Sequence, residues 1–472
     1  MQHNNILFSV RVIRKLVGLA LLCATYSTVL HAQKQQRPNI ILILTDDLGW
    51  SCFSSRMDDR LPDSKSDYYE TPNIDRFAAQ SLRFTRGYAP DPICTPSRRS
   101  IQFGQTSIRQ GDESFAAAYA PAENRHRSIP QVLKSIDSRY KAAHFGKWDL
   151  RAKITPEQLG YDESDGDTGN KNGDISSDRE EKWSQFFITD NPKQIDSITY
   201  RSIRFMQEQV RSETPFYLQV SHYATHVNFE TRKESYDRFS RKPAGKKHNN
   251  PAWAGMISDL DEGIGTLLKS IDAMGIADNT YIFLMADNGA VEFVPPVSNR
   301  LDPPSAFTAQ MRNYPLRGGK WTLYEGGIRV PFMVRGPGVK GGAQTDIPVG
   351  GWDLLPTIAE LAGNTVSKTK TEGDGISLVP LLRTSGKGTL NRTPGDFYFH
   401  RYTNGYPHSA IISGEYKLIK FWKTKKIELY NLNKDIGELT DISSLEPEKA
   451  KELEARLLLY INQVNPSLAK RY

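Results

Sequence analysis

The chain has 472 residues, 38% of them hydrophobic and 24% charged, which allows one large core with a smaller satellite and excludes both disorder and a bundle of membrane spans. The formal net charge is +7, and +4 without the first 32 residues, which carry Arg11, Arg14 and Lys15 and no carboxylate. That mild surplus suits an anionic small substrate and is no nucleic-acid footprint.

In chain order, Arg11, Arg14 and Lys15 precede an apolar run from Leu16 to Cys23 and a polar stretch ending in Leu30-His31-Ala32. This is the pattern of a secretory signal over residues 1–32, cleaved near Ala32, so the mature chain is expected to be secreted or periplasmic. The apolar run is shorter than the roughly 20 residues a span needs, so no transmembrane span is expected. Leu22 stands before Cys23 where a lipobox wants a small residue, which disfavours a lipid anchor. Only Cys52 and Cys94 survive such processing. Two thiols cannot build a disulfide framework, although a Cys52–Cys94 bridge is open to them.

Three apolar, β-rich runs then end in polar chemistry. Asn39-Ile40-Ile41-Leu42-Ile43-Leu44 leads to Thr45-Asp46-Asp47. Phe216-Tyr217-Leu218-Gln219-Val220 leads to Ser221-His222, with His226 just beyond, and Tyr281-Ile282-Phe283-Leu284-Met285 leads to Asp287-Asn288-Gly289. Ile257, Leu260, Ile264, Leu267 and Ile271 fall at helical spacing between the last two runs, and Gly275 stops that helix. Apolar strands separated by helices predict a large, mostly parallel sheet flanked by helices, an α/β fold. Ligands bind such sheets beyond the carboxyl ends of the strands, where acid, amide and imidazole groups would here converge. The segment 162–181 has loop composition, and 241–248 reads as a basic surface loop. Past about residue 385, Phe397-Tyr398-Phe399, Ala410-Ile411-Ile412 and Tyr416-Lys417-Leu418-Ile419 predict an antiparallel sheet. A helix opened by Pro447 follows, with Ala450, Leu453, Leu457, Ile461 and Val464 on one face, ended by Pro466. The expected division is a catalytic domain over 37–385 and an α+β subdomain over 386–472.

Asp46, Asp47, Asp287 and Asn288 are a hard, oxygen-only donor set, suited to calcium or magnesium and poor for zinc. Crowded carboxylates raise one another's pKa, and a divalent cation removes that conflict. In Cys94-Thr95-Pro96-Ser97-Arg98, Pro96 fits the first turn of a helix, which places Cys94 at a helix N-terminus with Arg98 one turn on. Taken alone, that position suggests a cysteine of lowered pKa.

Cys94-x-Pro96-Ser97-Arg98 resembles the signature of the type I sulfatases, the formylglycine-dependent, arylsulfatase-like branch of the alkaline phosphatase superfamily. The likeness continues through Arg37-Pro38-Asn39 to Asp46-Asp47, Thr71-Pro72-Asn73-Ile74-Asp75, Gly146-Lys147-Trp148, Asp287-Asn288-Gly289, Gly318-Gly319-Lys320 and Glu325-Gly326-Gly327-Ile328-Arg329-Val330-Pro331. The resemblance implies an alkaline-phosphatase-like sheet domain with a smaller C-terminal domain. It also implies one Ca2+ held by Asp46, Asp47, Asp287, Asn288 and residue 94, the latter oxidised to formylglycine (3-oxoalanine) by a formylglycine-generating enzyme during maturation. Arg98 would brace the aldehyde hydrate, Lys147 and Lys320 would hold sulfate oxygens, and His226 would protonate the leaving alcohol, with His222 a further substrate-side candidate. The substrate implied is a sulfate ester of a carbohydrate or a phenol.

The chemistry needs those residue types. Sulfate oxygens are anionic and repel a nucleophile until cations neutralise them, and an alkoxide leaving group needs a general acid. One departure stands out: the family usually has a histidine after Gly-Lys-Trp, and this chain has Asp149. Asp149 is a candidate substitute base, with His144 and His222 as other candidates, although His144 falls inside a predicted strand. Two readings compete with a sulfatase: a phosphate or phosphonate ester hydrolase of the same superfamily, and a sulfated-glycan-binding protein without turnover.

Overall fold

A computed structural model of the chain describes residues 37–111, 127–151, 154–173, 186–292, 311–364, 373–392, 395–402 and 405–471. The expected signal segment lies outside the described residues. Of the segment 162–181, residues 174–181 also lie outside them.

A strand that is apolar on both faces can be satisfied only in the middle of a covered sheet. Asn39–Thr45, buried at all seven positions, takes that place, pairing in parallel with Phe216–Ser221 on one side and Thr280–Ala286 on the other. Each buried Ile or Leu in it contributes about 1.5–3 kcal/mol through removal from water. The sheet has eight strands in the order Gln344–Thr345, Leu82–Phe84, Phe332–Arg335, Thr280–Ala286, Asn39–Thr45, Phe216–Ser221, Lys141–Gly146, Glu163–Ser164. Phe332–Arg335 runs antiparallel to both neighbours, so the sheet is mixed but mostly parallel, as expected. Register positions the site: Leu44 lies opposite both Ser221 and Met285, and Thr45 opposite Ala286. Asp46, His222 and Asp287 therefore leave the sheet side by side.

The predicted helix around Ile257–Ile271 runs Pro251–Ala273, begun by Asn250, whose side chain accepts the N–H of Trp253. Gly275, with φ of +69°, follows its end. Sequence reading of 162–181 as loop is corrected at Glu163–Ser164, which adds an edge strand to Lys141–Gly146. Asp165 accepts from Gly146 N at 2.7 Å and pairs with Arg201 at 2.8 Å, which ties the segment to the sheet and to the helix beside it. The basic segment 241–248 is also less free than its composition suggested: Lys242 binds Glu70 at 2.6 Å, and Lys247 pairs with Asp63.

Toward the C-terminus, Phe397–Arg401, His408–Ser413, Tyr416–Phe421 and Ile427–Asn431 form an antiparallel sheet, the last strand unread from sequence. Helix Pro447–Val464 buries Ala450, Leu453, Leu457 and Ile461 with Ile411, Leu418 and Leu429 of that sheet. Pro466 opens a further short helix rather than merely ending the long one. All these elements belong to one compact unit, Pro38–Tyr472. No helix among the described residues is long and apolar enough to cross a membrane.

Candidate active site

The sheet edge gathers the sequence-predicted groups. Asp287 N donates to Thr45 O at 3.0 Å and Asp46 N to Ala224 O at 3.0 Å, which ties the ends of the three central strands together. Asp47 takes φ of +57°, turning its N–H onto Asp287 Oδ1 at 3.2 Å. Thr225, which sequence reading passed over, donates its hydroxyl to the carbonyls of Asp46 and Asp47 at 3.2 and 3.1 Å. Only its place between the strand end and His226 could have signalled it.

Cys94 opens the helix Cys94–Phe103, as its sequence predicted. Its thiol donates to Asp46 Oδ1 at 3.2 Å and lies 3.8 Å from Asp47 Oδ1. Ligand atoms of Asp46, Asp47, Cys94 and Asp287 all lie within 4.8 Å of one another. Cys52 and Cys94 are both free thiols, which overturns the bridge between them: Cys52 is held on the Arg312 carbonyl at 3.4 Å while Cys94 faces the acids. The lowered thiol pKa suggested by a helix N-terminus is also corrected. Burial, and then the Asp46 carboxylate, push the Cys94 thiol well above its ordinary value, outweighing Lys147 and Lys320. As a thiol, it is a poor nucleophile at neutral pH.

Three cations and an imidazole surround the acids. Arg98 donates from Nε to Asp287 Oδ2 at 2.9 Å and from a terminal nitrogen to the Lys147 carbonyl at 2.5 Å. Lys147 Nζ binds Asp46 Oδ2 at 2.6 Å, and Lys320 Nζ binds Asp47 Oδ2 at 2.8 Å and approaches Cys94 Sγ at 3.4 Å. His226 Nε2 lies 3.8 Å from Asp47 Oδ2, with Nδ1 on the Val227 carbonyl. Against the rise that burial would give, Lys147, His226, Arg98 and Lys320 hold Asp46 well below the usual carboxylate range. Asp287 goes the other way, pushed up to about 7 by burial and the Asp46 charge. Burial and Lys320 keep His226 well below an ordinary imidazole.

The donor set fits a hard divalent cation. Three buried carboxylates face one another, and the buried Asn288 Oδ1 has no hydrogen-bond partner while its Nδ2 donates to Asp47 Oδ1 at 2.7 Å. His222 is buried with neither ring nitrogen hydrogen-bonded, and burial lowers it to about 4. His144, in its strand, bonds Ser221 Oγ at 3.0 Å, a packed position rather than a ligand. Asp149, at φ of +52°, sets its carboxylate 3.7 Å from Lys147 Nζ and 3.8 Å from Arg151 Nε.

Paired acids and lysines at the carboxyl edge of such a sheet suit an anionic ligand. Comparison with known proteins gives the class. The Sulfatase family model matches residues 38–364, and a model described as N-sulphoglucosamine sulphohydrolase, C-terminal, matches 319–465. The chain is 26% identical to a sulfatase of Formosa agariphila over 92% of its own length and 89% of that protein. It is 29% identical to N-acetylgalactosamine-6-sulfatase of Homo sapiens over 82% of its length and 72% of the relative. The solved structure of BT4656 in complex with its substrate D-glucosamine-2-N,6-O-disulfate superposes with a TM-score of 0.66 at 20% identity, covering 91% of this chain and 98% of that one. The chain belongs to the sulfatase family and hydrolyses sulfate esters.

Proposed function

We propose that this enzyme removes sulfate from a sulfated carbohydrate, using residue 94 after its oxidation to formylglycine and one Ca2+ held by Asp46, Asp47, Asp287, Asn288 and residue 94. The observation that carries the reading is the placement of Cys94 Sγ, 3.2 Å from Asp46 and 3.4 Å from Lys320, at a helix N-terminus. A buried thiol of raised pKa is of little use there as a thiol, whereas a formylglycine supplies, as its hydrate, one oxygen to attack sulfur and a second to expel sulfate afterwards. The cation supplies charge that offsets both the acids and the incoming sulfate.

The chain's own residues do the rest. Lys147 and Lys320, paired here with Asp46 and Asp47, would hold sulfate oxygens, with the carboxylates left to the cation they would bind. Arg98, buried and paired with Asp287 at 2.8 Å, would brace the hydrate of residue 94. His226 holds Nδ1 on a backbone carbonyl and sets Nε2 on the acid side of the site, 3.8 Å from Asp47 Oδ2, where it would serve the leaving oxygen. A bound sulfate anion would offset Lys320 and Lys147 and raise the imidazole toward the range a general acid needs. Asp149 stands beside Lys147 as the substitute base for the family's histidine. His222, with two unpaired ring nitrogens, is a substrate-side hydrogen-bonding group.

A sugar substrate is supported by the relatives: one is a N-acetylgalactosamine-6-sulfatase, and BT4656 was solved with a sulfated glucosamine. The same reading includes export through residues 1–32, maturation by a formylglycine-generating enzyme, and division into a catalytic domain over 37–385 and a C-terminal subdomain over 386–472. The test is mass spectrometry of the peptide spanning Cys94 from natively produced enzyme, together with parallel assays on aryl sulfate and aryl phosphate. An aldehyde at residue 94 and a faster sulfate rate are expected. An unmodified thiol in active enzyme, or a faster phosphate rate, would overturn the proposal. Asp149→Asn, followed by burst and steady-state kinetics, separates the base from a bystander: unchanged rates for both steps would rule the base out.

A further inference from the structure

Lys417, on the C-terminal strand Tyr416–Phe421, is completely buried. Its ammonium lies 2.9 Å from Glu325 Oε1 and 2.9 Å from Glu438 Oε1. Glu438, itself buried at φ of +50°, accepts the backbone N–H of Glu325 at 2.6 Å, and its carbonyl accepts from Arg317 at 2.8 Å. The other oxygen of Glu325 takes the Tyr88 hydroxyl at 3.1 Å and Arg329 at 3.3 Å. Glu325 is thus gripped at both its carboxylate and its N–H by residues roughly a hundred positions downstream.

Immediately after Glu325 come Gly326 and Gly327, the backbone against which the site's segments rest. Gly289 N donates to Gly327 O at 3.0 Å, and Gly326 N to Arg317 O at 2.8 Å. A Cβ on Gly289 would stand 1.7 Å from Gly326 O, and one on Gly326 would stand 2.3 Å from Gly318 O. Three glycine segments therefore touch backbone to backbone. One follows Asp287-Asn288 and another precedes Lys320, whose N–H donates to Ala290 O at 3.1 Å.

We propose that Lys417 and Glu438 are positioning residues of the sulfatase reaction: by clamping Glu325 they fix Gly326–Gly327 against Gly289 and Gly318, and so set the spacing between the Asp287–Asn288 donors and the Lys320 ammonium. This rests on the reading that Asp287 and Asn288 hold the cation and Lys320 a sulfate oxygen. Neither Lys417 nor Glu438 is placed against reacting atoms. The C-terminal sheet is then part of the machinery that shapes the active site, not only a support for the fold.

The test compares Lys417→Met, Glu438→Gln and the double variant with wild type in the full chain. Burial already pushes Glu438 up to about 7, so losing Lys417 leaves a carboxylate able to take a proton rather than an unpaired charge. Ca2+ affinity is measured by calorimetry, and kcat and KM on para-nitrophenyl sulfate are normalised to the aldehyde content of residue 94. A purely structural role moves the melting temperature alone. The positioning role predicts folded single variants with Ca2+ binding weakened about tenfold and kcat lowered about tenfold, KM changing less than about twofold. It also predicts that the double variant, although neutralised, fails to recover either. Ca2+ affinity and kcat within about twofold of wild type in any folded variant would overturn it, as would failure of every variant to fold. Wild-type enzyme that binds no Ca2+ would instead defeat the underlying site reading, so the two failures are distinguishable.

Discussion

Residue 94 is tightly enclosed and of little use as a thiol. Enclosed by Asp46, Asp47 and Lys320 and raised by burial and the Asp46 charge, it resists ionisation. Cys94→Ala should therefore lower kcat at least roughly a thousandfold while the melting temperature stays within a few degrees, read by steady-state assay and calorimetry. Lys147→Met tests the charge logic. It removes the 2.6 Å partner of Asp46 and one cation for the sulfate, and should lower kcat/KM by about 10²–10³. A change below about threefold would mean that Lys147 only neutralises Asp46. His408 carries a pH prediction. Its Nε2 accepts Leu323 N–H at 3.1 Å and its Nδ1 lies 2.7 Å from the Tyr406 carbonyl, so the neutral ring is built in, and burial lowers it to about 3. Its stabilising share is complete above about pH 6.5 and is lost as pH falls toward 3, at up to about 1.4 kcal/mol per pH unit, because the unfolded chain takes a proton the folded one refuses. His408→Gln should accordingly show a smaller drop in melting temperature between about pH 7 and 5 than wild type.

Elements bring these residues together through register. Thr45 opposite Ala286 and Leu44 opposite Ser221 make Asp46, Asp287 and His222 neighbours although they are scattered along the chain. Gly289→Ala tests that scaffold: a Cβ 1.7 Å from the Gly326 carbonyl forces the Asp287–Asn288 turn to move, with an expected loss of roughly 1–3 kcal/mol and weakened Ca2+ binding. The central strands, the helix at Cys94, the long helix Pro251–Ala273 and the acid cluster were legible because each is written locally, as an apolar run, a periodic face or a motif. Other features were not. Glu163–Ser164 is two residues long and paired only by its neighbour, and Ile427–Asn431 is an edge strand among polar turns. The raised Cys94 pKa depends on burial, which no helix N-terminus reveals. Asn313, whose amide bonds Ala290 O and Gly318 O behind Lys320, and the Lys417–Glu325–Glu438 cluster come from distant segments with no periodic or motif signal.

At the scale of the whole molecule, the ends of the three central strands and the helix at Cys94 converge on one charged site whose acids, unaided, oppose one another. On the proposed reading, a cation held by those acids would link the site to global stability. Saturating Ca2+ at about a hundred times its dissociation constant should add about 2.7 kcal/mol, and chelation should remove it, visible as a fall in melting temperature that added Ca2+ reverses. The most direct test of the account is a crystal structure of natively produced enzyme grown with Ca2+, with anomalous data collected to locate the ion. One Ca2+ is expected within about 2.3–2.6 Å of oxygens from Asp46, Asp47, Asp287 and Asn288, with an aldehyde or its hydrate at residue 94 completing the shell. A reduced thiol at residue 94 with Lys147 and Lys320 still seated on Asp46 and Asp47 and no ion between them would contradict it.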